Sequence, residues 1–508
     1  MNATHRIAIP AILAGFLMTV ACVALPSGRT QEGQLAQEPG ATSVFMIAGE
    51  EGAPAQFLIH KVTVIDVEAG RAIPAQTVRI SEGKIDSILP ASEQAAAGEM
   101  LIEFERGLYL IPGLFDTHVH FGMVPWKDQP TLGPLLIANG VTFVRDMGAD
   151  TRAILALRDR VAGGDMFGPE MIVTGDPLRG PYKLGDRQPG VICETPCEGR
   201  RAVQKLAAKG VDQIKVHEGG LDAEVYRAIL EESQKQGLKV VGHVPDPISL
   251  AEAVERGQAS IEHLSPWIVL LNAWSNEYVK MARRNRPGAS SMSWHLFGRE
   301  LRIDPERWAN LTRKMRESAI SACPTLVLIE RIRRVNDPKL KTDPNLIYVS
   351  TRLRARWNKA RRGMEREMKK GEEGARISRW GELYPEMLPL VKRIHDSGVP
   401  LVCGTDFPVF YLVAGFSLHD EMELLQEAGL PPASVLQAAT LNAARLCDVG
   451  DRLGTVTEGK TASLILLREN PLEDIRNTRE IAGVFLRGEF YGRSDLDKLL
   501  DRVRARVR

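Results

Sequence analysis

IPGLFDTHVHFG, residues 111–122, combines an apolar run with two histidines that are one residue apart. In a β-strand, side chains at positions i and i+2 point to the same side, so a strand here would project His118 and His120 together from its carboxyl end. Two neutral imidazoles side by side can supply half of a metal site. Two structural histidines would give the same pattern, so the rest of the chain has to decide between these readings.

Between residues 113 and 450, short apolar segments alternate with amphipathic helical segments. The strand GVTFVRDMG precedes the helix TRAILALRDRVAG, and the strand VDQIKV precedes the helix AEVYRAILEESQKQG. The last two strands are assigned to SACPTLVLI and VPLVCGTD. This α/β alternation is typical of a parallel sheet, and eight strands with helical connections predict a (β/α)8 TIM barrel over residues 113–450.

The two ends of the chain have a different, β-rich character. Residues 55–112 and 451–495 contain alternating apolar segments separated by Gly-containing turns. The simplest interpretation is one small β-sandwich domain, built from both chain ends, into which the barrel is inserted. Two long connections are predicted as insertions in the barrel at about 264–318 and 328–395, and residues 496–508 are predicted to be a C-terminal helical tail.

The first residues are predicted to direct export. The apolar run IAIPAILAGFLMTVACVALP follows one arginine, so residues 1–25 are interpreted as a signal peptide or a lipoprotein signal, with Cys22 as the candidate lipidated residue. An uncleaved membrane anchor is the alternative. Residues 26–54 are rich in Gly, Ser, Gln, Ala and Pro, which predicts a flexible tether. The expected location is periplasmic, or lipid-anchored to the cell envelope through the N-terminus.

Composition argues against some partners. The 508 residues are 44% hydrophobic and 25% charged, with a net charge of +1, so nothing indicates binding to nucleic acid or to a charged membrane surface. No two cysteines have the Cys-x-x-Cys spacing of a cysteine metal site. In an exported protein, Cys193 and Cys197 of the loop-like segment VICETPCEG could form a disulfide.

Chemically capable side chains end several of the predicted barrel strands. Active sites of such barrels lie at the carboxyl ends of the strands, where the βα loops form one face. Besides the two histidines above, the strand ends carry Lys215, His243, His263 and Asp406. Each alone is as readily a hydrogen-bonded histidine, a solvated lysine or a capping aspartate. Because five strands deliver all six side chains to the same rim, a shared site is favoured.

These motifs resemble those of the amidohydrolase superfamily, in its prolidase-like and imidazolonepropionase-like branch. The matching segments are IPGLFDTHVHFG, VDQIKVHEGG, VVGHV, ASIEHLSP, CPTLVLI and CGTDFP, with the tail from LHDEMELLQEAGL to RLGTVTEGKTASLILL. The resemblance covers about residues 56–490, apart from some of 270–385. Ser463 departs from the family, which usually has aspartate at this turn, but the turn lies outside the predicted barrel.

The resemblance implies a role for each side chain at the rim. His118, His120 and Asp406 would hold one divalent metal ion, and His243 and His263 would hold a second. Zinc is the expected metal, because nitrogen and oxygen ligands suit it.

The resemblance also implies that Lys215 bridges both ions as N6-carboxylysine, the carbamate formed when its amine reacts with carbon dioxide. A carbamate is an anion with two oxygen ligands, whereas a protonated lysine would repel a dication. The ions would share a bridging hydroxide, whose proton Asp406 would take and deliver to the leaving amine. The implied reaction is hydrolysis of an amide-type carbon–nitrogen bond.

The implied substrates are small molecules that carry a carboxylate. Relatives in this branch include dipeptidases and N-acyl amino acid hydrolases, so Xaa-Pro or Xaa-Arg/Lys dipeptides and N-acyl amino acids are expected. His217 would stabilise the oxyanion or bind the carboxylate, unless it is a loop histidine bonded to backbone. Tyr182 is a second candidate for substrate binding. The basic segment 351–371 is either a solvated helix face or a lid that attracts anionic substrates.

Two other functions fit the same sequence. The site could hydrolyse a cyclic amide, a lactone or a phosphotriester, because a fold does not dictate the electrophile. A non-catalytic exported binding protein is an alternative of another class, although a proton carrier beside two metal ions would have no use there. A homo-oligomer without a nucleic-acid partner is expected.

Overall fold

A computed structural model describes most of the chain, namely residues 43–46, 56–92, 99–103, 107–181, 190–217, 220–264, 304–368 and 371–507. The predicted signal segment 1–25 with Cys22 lies outside these ranges, as does Tyr182. Among the helices of the described ranges, none has the length and apolar character needed to cross a membrane.

A mixed sheet combines strands from both ends of the chain. In the described residues it has nine strands in the order β1-β5-β2-β6-β16-β17-β18, with β3 and β4 continuing from β2. These strands are β1 (Ser43–Met46), β2 (Gln56–Asp66), β3 (Arg71–Ser81), β4 (Lys84–Pro90), β5 (Glu99–Glu103), β6 (Tyr109–Pro112), β16 (Leu464–Leu467), β17 (Ile481–Leu486) and β18 (Glu489–Gly492). β1 lies inside the predicted tether, where SVFM pairs antiparallel with β5.

Pairing between β6 and β16 joins the two ends of the chain. These strands are antiparallel, with Ile111 opposite Ile465. The sheet has an apolar core of its own, in which the rings of Phe57 and Phe485 meet edge to face at a centroid distance of 5.4 Å. Because each ring comes from a different end of the chain, this core requires both ends.

Parallel strands occupy the middle of the chain. Within the part of the chain that the structure describes, one sheet has three strands in the order β7-β8-β9, and another has six in the order β11-β10-β12-β13-β14-β15. They are β7 (Leu114–Val119), β8 (Val141–Asp146), β9 (Glu170–Val173), β10 (Leu178–Arg179), β11 (Val191–Ile192), β12 (Ile214–Val216), β13 (Val240–Gly242), β14 (Ser260–Glu262) and β15 (Ser321–Cys323). The prediction of a mixed α/β fold with parallel sheets is confirmed.

The last two predicted barrel strands differ from the structure. β15 ends at Cys323, and the segment LVLIERIR that follows Pro324 is helical rather than extended. Proline cannot donate to a strand ladder, and Thr325 turns the chain with a φ of 49°. The segment PLVCGTDF makes isolated parallel bridges, from Leu401 to Ala322 and from Phe407 to Val119. It therefore links the six-stranded sheet to the three-stranded sheet.

Helices connect the parallel strands. The described helices are α1 (Leu132–Ala138), α2 (Thr151–Ala162), α3 (Pro196–Lys209), α4 (Ala223–Lys235), α5 (Leu250–Glu255), α6 (Pro305–Glu317), α7 (Leu326–Arg333), α8 (Thr351–Met368), α9 (Gly371–Asp396), α10 (Phe416–Glu427), α11 (Pro432–Ala439), α12 (Leu441–Leu446) and α13 (Arg493–Val507). Local signals bound them. For example, α3 begins with a reciprocal capping box between Thr195 and Glu198 and ends at Gly210 with a φ of 82°.

Gly113 lets one stretch of chain cross from the mixed sheet to the parallel strands. The strand predicted within IPGLFDTHVHFG is interrupted at Gly113, so that β6 ends at Pro112 and β7 begins at Leu114. A Cβ atom at Gly113 would lie 2.0 Å from Thr142 Oγ1, so a larger residue would collide with β8. The crossing carries His118 to the carboxyl end of β7.

The proposed disulfide between Cys193 and Cys197 is not formed. Both are free thiols, with Cys193 buried and Cys197 exposed. The capping box starts α3 at Pro196, so Cys197 belongs to the first turn of that helix while Cys193 follows β11.

Replacing Phe485 by alanine tests whether the two chain ends share one core. The free energy of unfolding should fall by about 3–5 kcal/mol, because the cavity left beside Phe57 cannot fully close. Chemical denaturation followed by circular dichroism measures the change. The control Ile192→Ala, at an exposed position, should change it by about 0.5 kcal/mol or less. Equal effects of the two substitutions would contradict the shared core.

Candidate metal centre

The structure brings the six predicted side chains together at the carboxyl ends of the parallel strands. His118 lies within β7 and Lys215 within β12. The remaining four directly follow a strand or precede a bridge residue: His120 after β7, His243 after β13, His263 after β14 and Asp406 before Phe407. Every one of them is buried or half-buried, so the site lies inside the rim rather than on an outer surface.

His118, His120 and Asp406 form the tightest group. Asp406 Oδ1 lies 3.1 Å from His120 Nε2 and 3.6 Å from His118 Nε2. One ligand atom from each residue lies within 4.8 Å of the other two. Ligand atoms on a shared Zn²⁺ have comparable separations when each bond is about 2.0–2.2 Å long. These three side chains therefore fit a single divalent cation.

His243 and His263 lie beside this group, and both feel the charge of Lys215. The ring centroids of His243 and His263 are 4.8 Å apart, and the ring of His263 is 5.0 Å from that of His118. Lys215 is close enough to lower the pKa of all three histidines by its charge. Within the described residues, neither Lys215 Nζ nor His118 Nε2 has a hydrogen-bond partner, although both are buried. Orphaned buried polar atoms are rare. The lone pair of His118 Nε2 fits a bound cation, whereas Lys215 Nζ fits one only in an uncharged or anionic form.

Hydrogen bonds on Nδ1 leave Nε2 of three histidines for the centre. The contacts are His118 Nδ1 with Glu262 Oε2 at 2.8 Å, His120 Nδ1 with Gly148 O at 3.2 Å and His263 Nδ1 with Thr325 Oγ1 at 2.6 Å. A carboxylate and a carbonyl only accept, and the Thr325 hydroxyl donates its own proton to Pro324 O. Each Nδ1 therefore carries a proton, and the neutral rings of His118 and His263 present the Nε2 lone pair that binds metals. At His120, burial lowers the pKa, but the hydrogen bond to Asp406 and the charge of Asp406 outweigh it and raise the pKa.

A buried ion pair holds His118 in place. Glu262 accepts a hydrogen bond from Arg145 at 2.8 Å through Oε1 and contacts His118 through Oε2. All three side chains are completely enclosed. Arg145 also donates to Thr117 O at 2.6 Å and to Ser260 Oγ at 3.1 Å. An enclosed guanidinium needs a carboxylate beside it, and this requirement fixes the orientation in which Glu262 meets His118.

A second group of potential ligands, His118, Glu262 and Cys323, is less suitable for a cation. Its ligand atoms also lie within 4.8 Å of one another. However, the Glu262 carboxylate is already engaged by Arg145 and Ser260. Burial raises the pKa of Cys323 well above its usual value, which keeps the thiol protonated. The group that contains Asp406 is therefore the better cation site.

Burial controls the protonation of the site. It lowers the pKa of His118 to about 3 and that of His263 to about 4, and the Lys215 charge acts in the same direction. Burial also lowers the pKa of Lys215 to about 8, against the pull of the nearby carboxylates. For Asp406, burial raises the pKa, but the hydrogen bond and charges of the surrounding histidines outweigh it and hold the pKa below its usual range. Neutral imidazoles and an ionised carboxylate are the forms that bind metals.

The backbone at the centre is strained. Asp406, His263 and Thr325 have left-handed φ angles of 64°, 61° and 49°. Such conformations cost about 1–3 kcal/mol each and persist only where surrounding contacts enforce them. Here Asp406 N donates to His118 O and His263 N donates to Cys323 O, both at 2.8 Å. Two of these strained residues, Asp406 and His263, are proposed metal ligands, and strain of this kind is common at functional sites.

Gly242 makes room for Lys215. A Cβ atom there would lie 2.6 Å from Lys215 Cδ and 2.3 Å from Val216 O, and its φ of 118° also disfavours other residues. The methylene chain of Lys215 therefore lies directly against the backbone of β13.

Of the two predicted substrate contacts, the structure describes only His217. Its ring centroid lies 4.6 Å from that of His243, and its backbone N–H donates to Leu178 O at 2.9 Å. His217 thus lies beside the second histidine group, which is made of His243 and His263. Tyr182 falls outside the described residues, so its role stays a prediction.

Sequence reasoning missed Glu262 and Arg145, although each has a signal. Both are charged residues inside apolar strands, in SIEHL and VTFVRD. A charge in a buried strand needs a partner of opposite sign. The two are 117 positions apart, so only the fold shows that they are each other's partner.

Comparisons with known proteins agree on one family. The model of the amidohydrolase family matches residues 109–490. The chain is 30% identical to an allantoinase of Streptomyces avermitilis over 211 residues, which are 40% of this chain and 44% of that protein. It is 23% identical to the ochratoxinase of Aspergillus niger over 433 residues, which are 73% of this chain and 72% of that protein. The chain therefore spans less than half the length of the allantoinase.

Solved structures share the fold. A bottromycin amidohydrolase has a TM-score of 0.67 at 24% identity, covering 89% of this chain and 91% of that one. A Xaa-Pro dipeptidase has a TM-score of 0.61 at 20% identity, covering 86% of this chain and all of that one. At such low identities, these likenesses show the fold alone.

Replacing Glu262 by glutamine tests its support of His118. The affinity of the metal-free protein for Zn²⁺ should fall by about 10–100-fold, because the histidine loses the carboxylate that fixes its ring. Competition with a chromogenic chelator measures this affinity. The control is Glu170→Gln. Glu170 is half-exposed, lies away from the centre and pairs with Arg452. That control should leave the affinity unchanged, and a Glu262→Gln variant that binds Zn²⁺ normally would contradict the role of Glu262.

Proposed function

Because this chain belongs to the amidohydrolase family, we propose that it is a binuclear metal-dependent hydrolase of dipeptides or N-acyl amino acids. Membership makes it a hydrolase that acts on amide-type carbon–nitrogen bonds. The favoured dipeptides are Xaa-Pro and Xaa-Arg/Lys, and the solved Xaa-Pro dipeptidase of the same fold supports this class.

The observation that carries the proposal is the enclosed cluster of ligand atoms. His118, His120 and Asp406 fit one cation by their separations, and the orphaned Nζ of Lys215 lies beside them. We assign His243 and His263 to a second cation. A binding protein would have no reason to bury this set, so an enzyme is favoured over a non-catalytic scaffold.

Lys215 is proposed to act as N6-carboxylysine. Its unprotonated amine would attack carbon dioxide, form a carbon–nitrogen bond and release a proton. Burial supports this, since it disfavours the ammonium form. The product, an anionic carbamate, would have two oxygen atoms with which Lys215 could hold divalent cations.

The reaction itself is proposed to use Asp406 as the proton carrier. Two divalent ions, with zinc the first choice, supply an activated water and polarise the scissile carbonyl when they are bound. The Asp406 carboxylate accepts the proton of the attacking water through Oδ1 or Oδ2 and then gives it to the departing nitrogen. His217 borders the second histidine group, which supports a contact with the substrate carboxylate or the developing oxyanion. Tyr182 is proposed for the same purpose.

Several features of the whole protein are proposals as well. We propose that the parallel sheets close into a (β/α)8 barrel, supported by the two bridges of Leu401 and Phe407. We propose a β-sandwich for the domain that is built from the β-rich segments at both ends of the chain, and the mixed sheet supports this. Export to the periplasm or the cell envelope, and homo-oligomerisation, are proposed from the sequence.

A second candidate function keeps the site and changes the bond. The match to an allantoinase favours hydrolysis of a cyclic amide over that of a lactone or a phosphotriester. It covers 40% of this chain, so linear amides rank first.

A substrate panel tests the proposed function. Purified metal-replete protein should hydrolyse a subset of Xaa-Pro, Xaa-Arg, Xaa-Lys and N-acyl amino acid substrates, measured by release of free amine. Asp406→Asn should lower kcat by about 10²–10⁴-fold, because the amide cannot carry the proton. The control Asp448→Asn changes an exposed carboxylate and should keep full activity. Turnover of cyclic amides alone would favour the second candidate, and an unaffected Asp406→Asn variant would refute the proton carrier.

Replacing Lys215 by alanine tests the carbamate. The variant should lose activity and about half of its bound metal, since the bridging anion would be gone. Short carboxylic acids such as formate or acetate should restore part of both, because they can supply the missing oxygens. Metal analysis and kcat measure the recovery. Lys239→Ala, at a lysine that contacts Asp448, is the matched control, and a Lys215→Ala variant with normal activity would refute the role of the lysine.

A further inference from the structure

The basic insertion after β15 is anchored at the rim of the candidate metal centre. Its helix α8 was expected to be a solvated face or a lid. The structure shows that Leu353 and Trp357, one turn apart, are buried, whereas Arg352 and Arg356 are exposed. The helix thus has one face packed against the protein. The buried residues that pack together there are Leu340, Leu346, Val349, Leu353, Trp357, Tyr411 and Val413.

One set of contacts joins this helix to the loop that follows β7. Ser350, directly before α8, donates to Asp128 Oδ2 at 2.6 Å. Arg356 donates through Nη1 to Met123 O at 2.7 Å. Met123 lies three positions after His120, and its own N–H donates to His120 O at 3.0 Å. Helix α8 therefore contacts the segment that carries one proposed metal ligand.

A second set of contacts joins α8 to the turn that follows Asp406. Trp357 Nε1 donates to Pro408 O at 2.7 Å. Tyr411 donates its hydroxyl proton to Asn358 Oδ1 at 3.0 Å, and its ring lies 5.4 Å from the Trp357 ring. Pro408 is two positions after Asp406, so this hydrogen bond fixes the turn in which the proposed proton carrier lies.

The turn needs such support because its backbone is strained. Asp406 has a left-handed φ of 64°, and Tyr411 has one of 57°. On the barrel side, Asp406 N donates to His118 O, and Phe407 O accepts from His120 N at 2.7 Å. From α8, the indole N–H of Trp357 donates a hydrogen bond to Pro408 O. The turn is thus fixed from both sides, once by β7 and once by α8.

From these contacts we propose that α8 is a fixed clamp, and that Trp357 is a positioning residue that sets the Asp406 carboxylate against His118 and His120. This inference rests on the proposed function and adds a residue from the insertion to it. The buried side chains of Leu353 and Trp357 and four side-chain hydrogen bonds attach α8 and the residue before it to the rim. A lid that opened in each turnover would have to break all of these contacts. The insertion therefore acts through Asp406 rather than on the substrate.

The test replaces Trp357 by phenylalanine, which keeps an aromatic ring and removes the N–H donor. With a reactive substrate from the panel, kcat should fall by about tenfold, while KM should change by less than about twofold. The affinity of the metal-free protein for Zn²⁺ should also fall by about tenfold, as measured by chelator competition without turnover. Trp308→Phe is the matched control, because Trp308 is another buried tryptophan, on α6, with Arg393 against its ring at 5.0 Å.

A second variant guards against a general packing defect. Tyr411→Phe removes only the hydroxyl that bonds Asn358, and it should shift kcat and Zn²⁺ affinity in the same direction but less than Trp357→Phe. Thermal unfolding midpoints of both variants should stay near that of Trp308→Phe. If Trp357→Phe matches Trp308→Phe in kcat and Zn²⁺ affinity, the clamp is refuted. If the unaltered protein binds no Zn²⁺, the proposed function fails instead, so the two failures are distinguishable.

Discussion

The enclosed contact between Arg145, Glu262 and His118 is the constraint on which the candidate site depends. A guanidinium and a carboxylate can remain in the interior only if they stay paired, because leaving either one alone would cost several kcal/mol. This pairing orients Glu262, and Glu262 orients the His118 ring by accepting from Nδ1. The Nε2 atom of His118 then has no hydrogen-bond partner among the described residues, and it lies 3.6 Å from Asp406 Oδ1. The paired charges of Arg145 and Glu262 thus orient His118 Nε2 for binding a cation even when no cation is bound.

Around this contact, the site collects groups that would be unfavourable together in a dry interior without a cation. Burial keeps His118 and His263 neutral and shifts the pKa of Lys215 downward, while the Asp406 carboxylate stays ionised. Several lone pairs and one negative charge therefore converge on the same space. A divalent cation satisfies all of them at once, which explains why the chain tolerates three residues in left-handed conformations to hold this arrangement.

The position of the site follows from how the sheets are connected. Gly113 passes the chain from the mixed sheet into β7, and the bridge from Val119 to Phe407 brings the segment of Asp406 beside the end of that strand. Helix α8 then contacts both loops from outside. Residues separated by almost 300 positions become neighbours because parallel strands align their carboxyl ends.

The sequence by itself determined the α/β character, the chain-end origin of the β-rich part and which six side chains meet at the carboxyl ends of the parallel strands; their roles at the candidate site stay predictions. These follow from local patterns: alternation within strands, caps on helices, and ligand-type residues at strand ends. It did not determine the helix over LVLIERIR, the isolated bridges of PLVCGTDF, or the free thiols of Cys193 and Cys197. Only the tertiary structure decided that Glu262 pairs with Arg145 and that Trp357 reaches Pro408. Those choices depend on which distant segments meet, and no local pattern of residues encodes a contact between them.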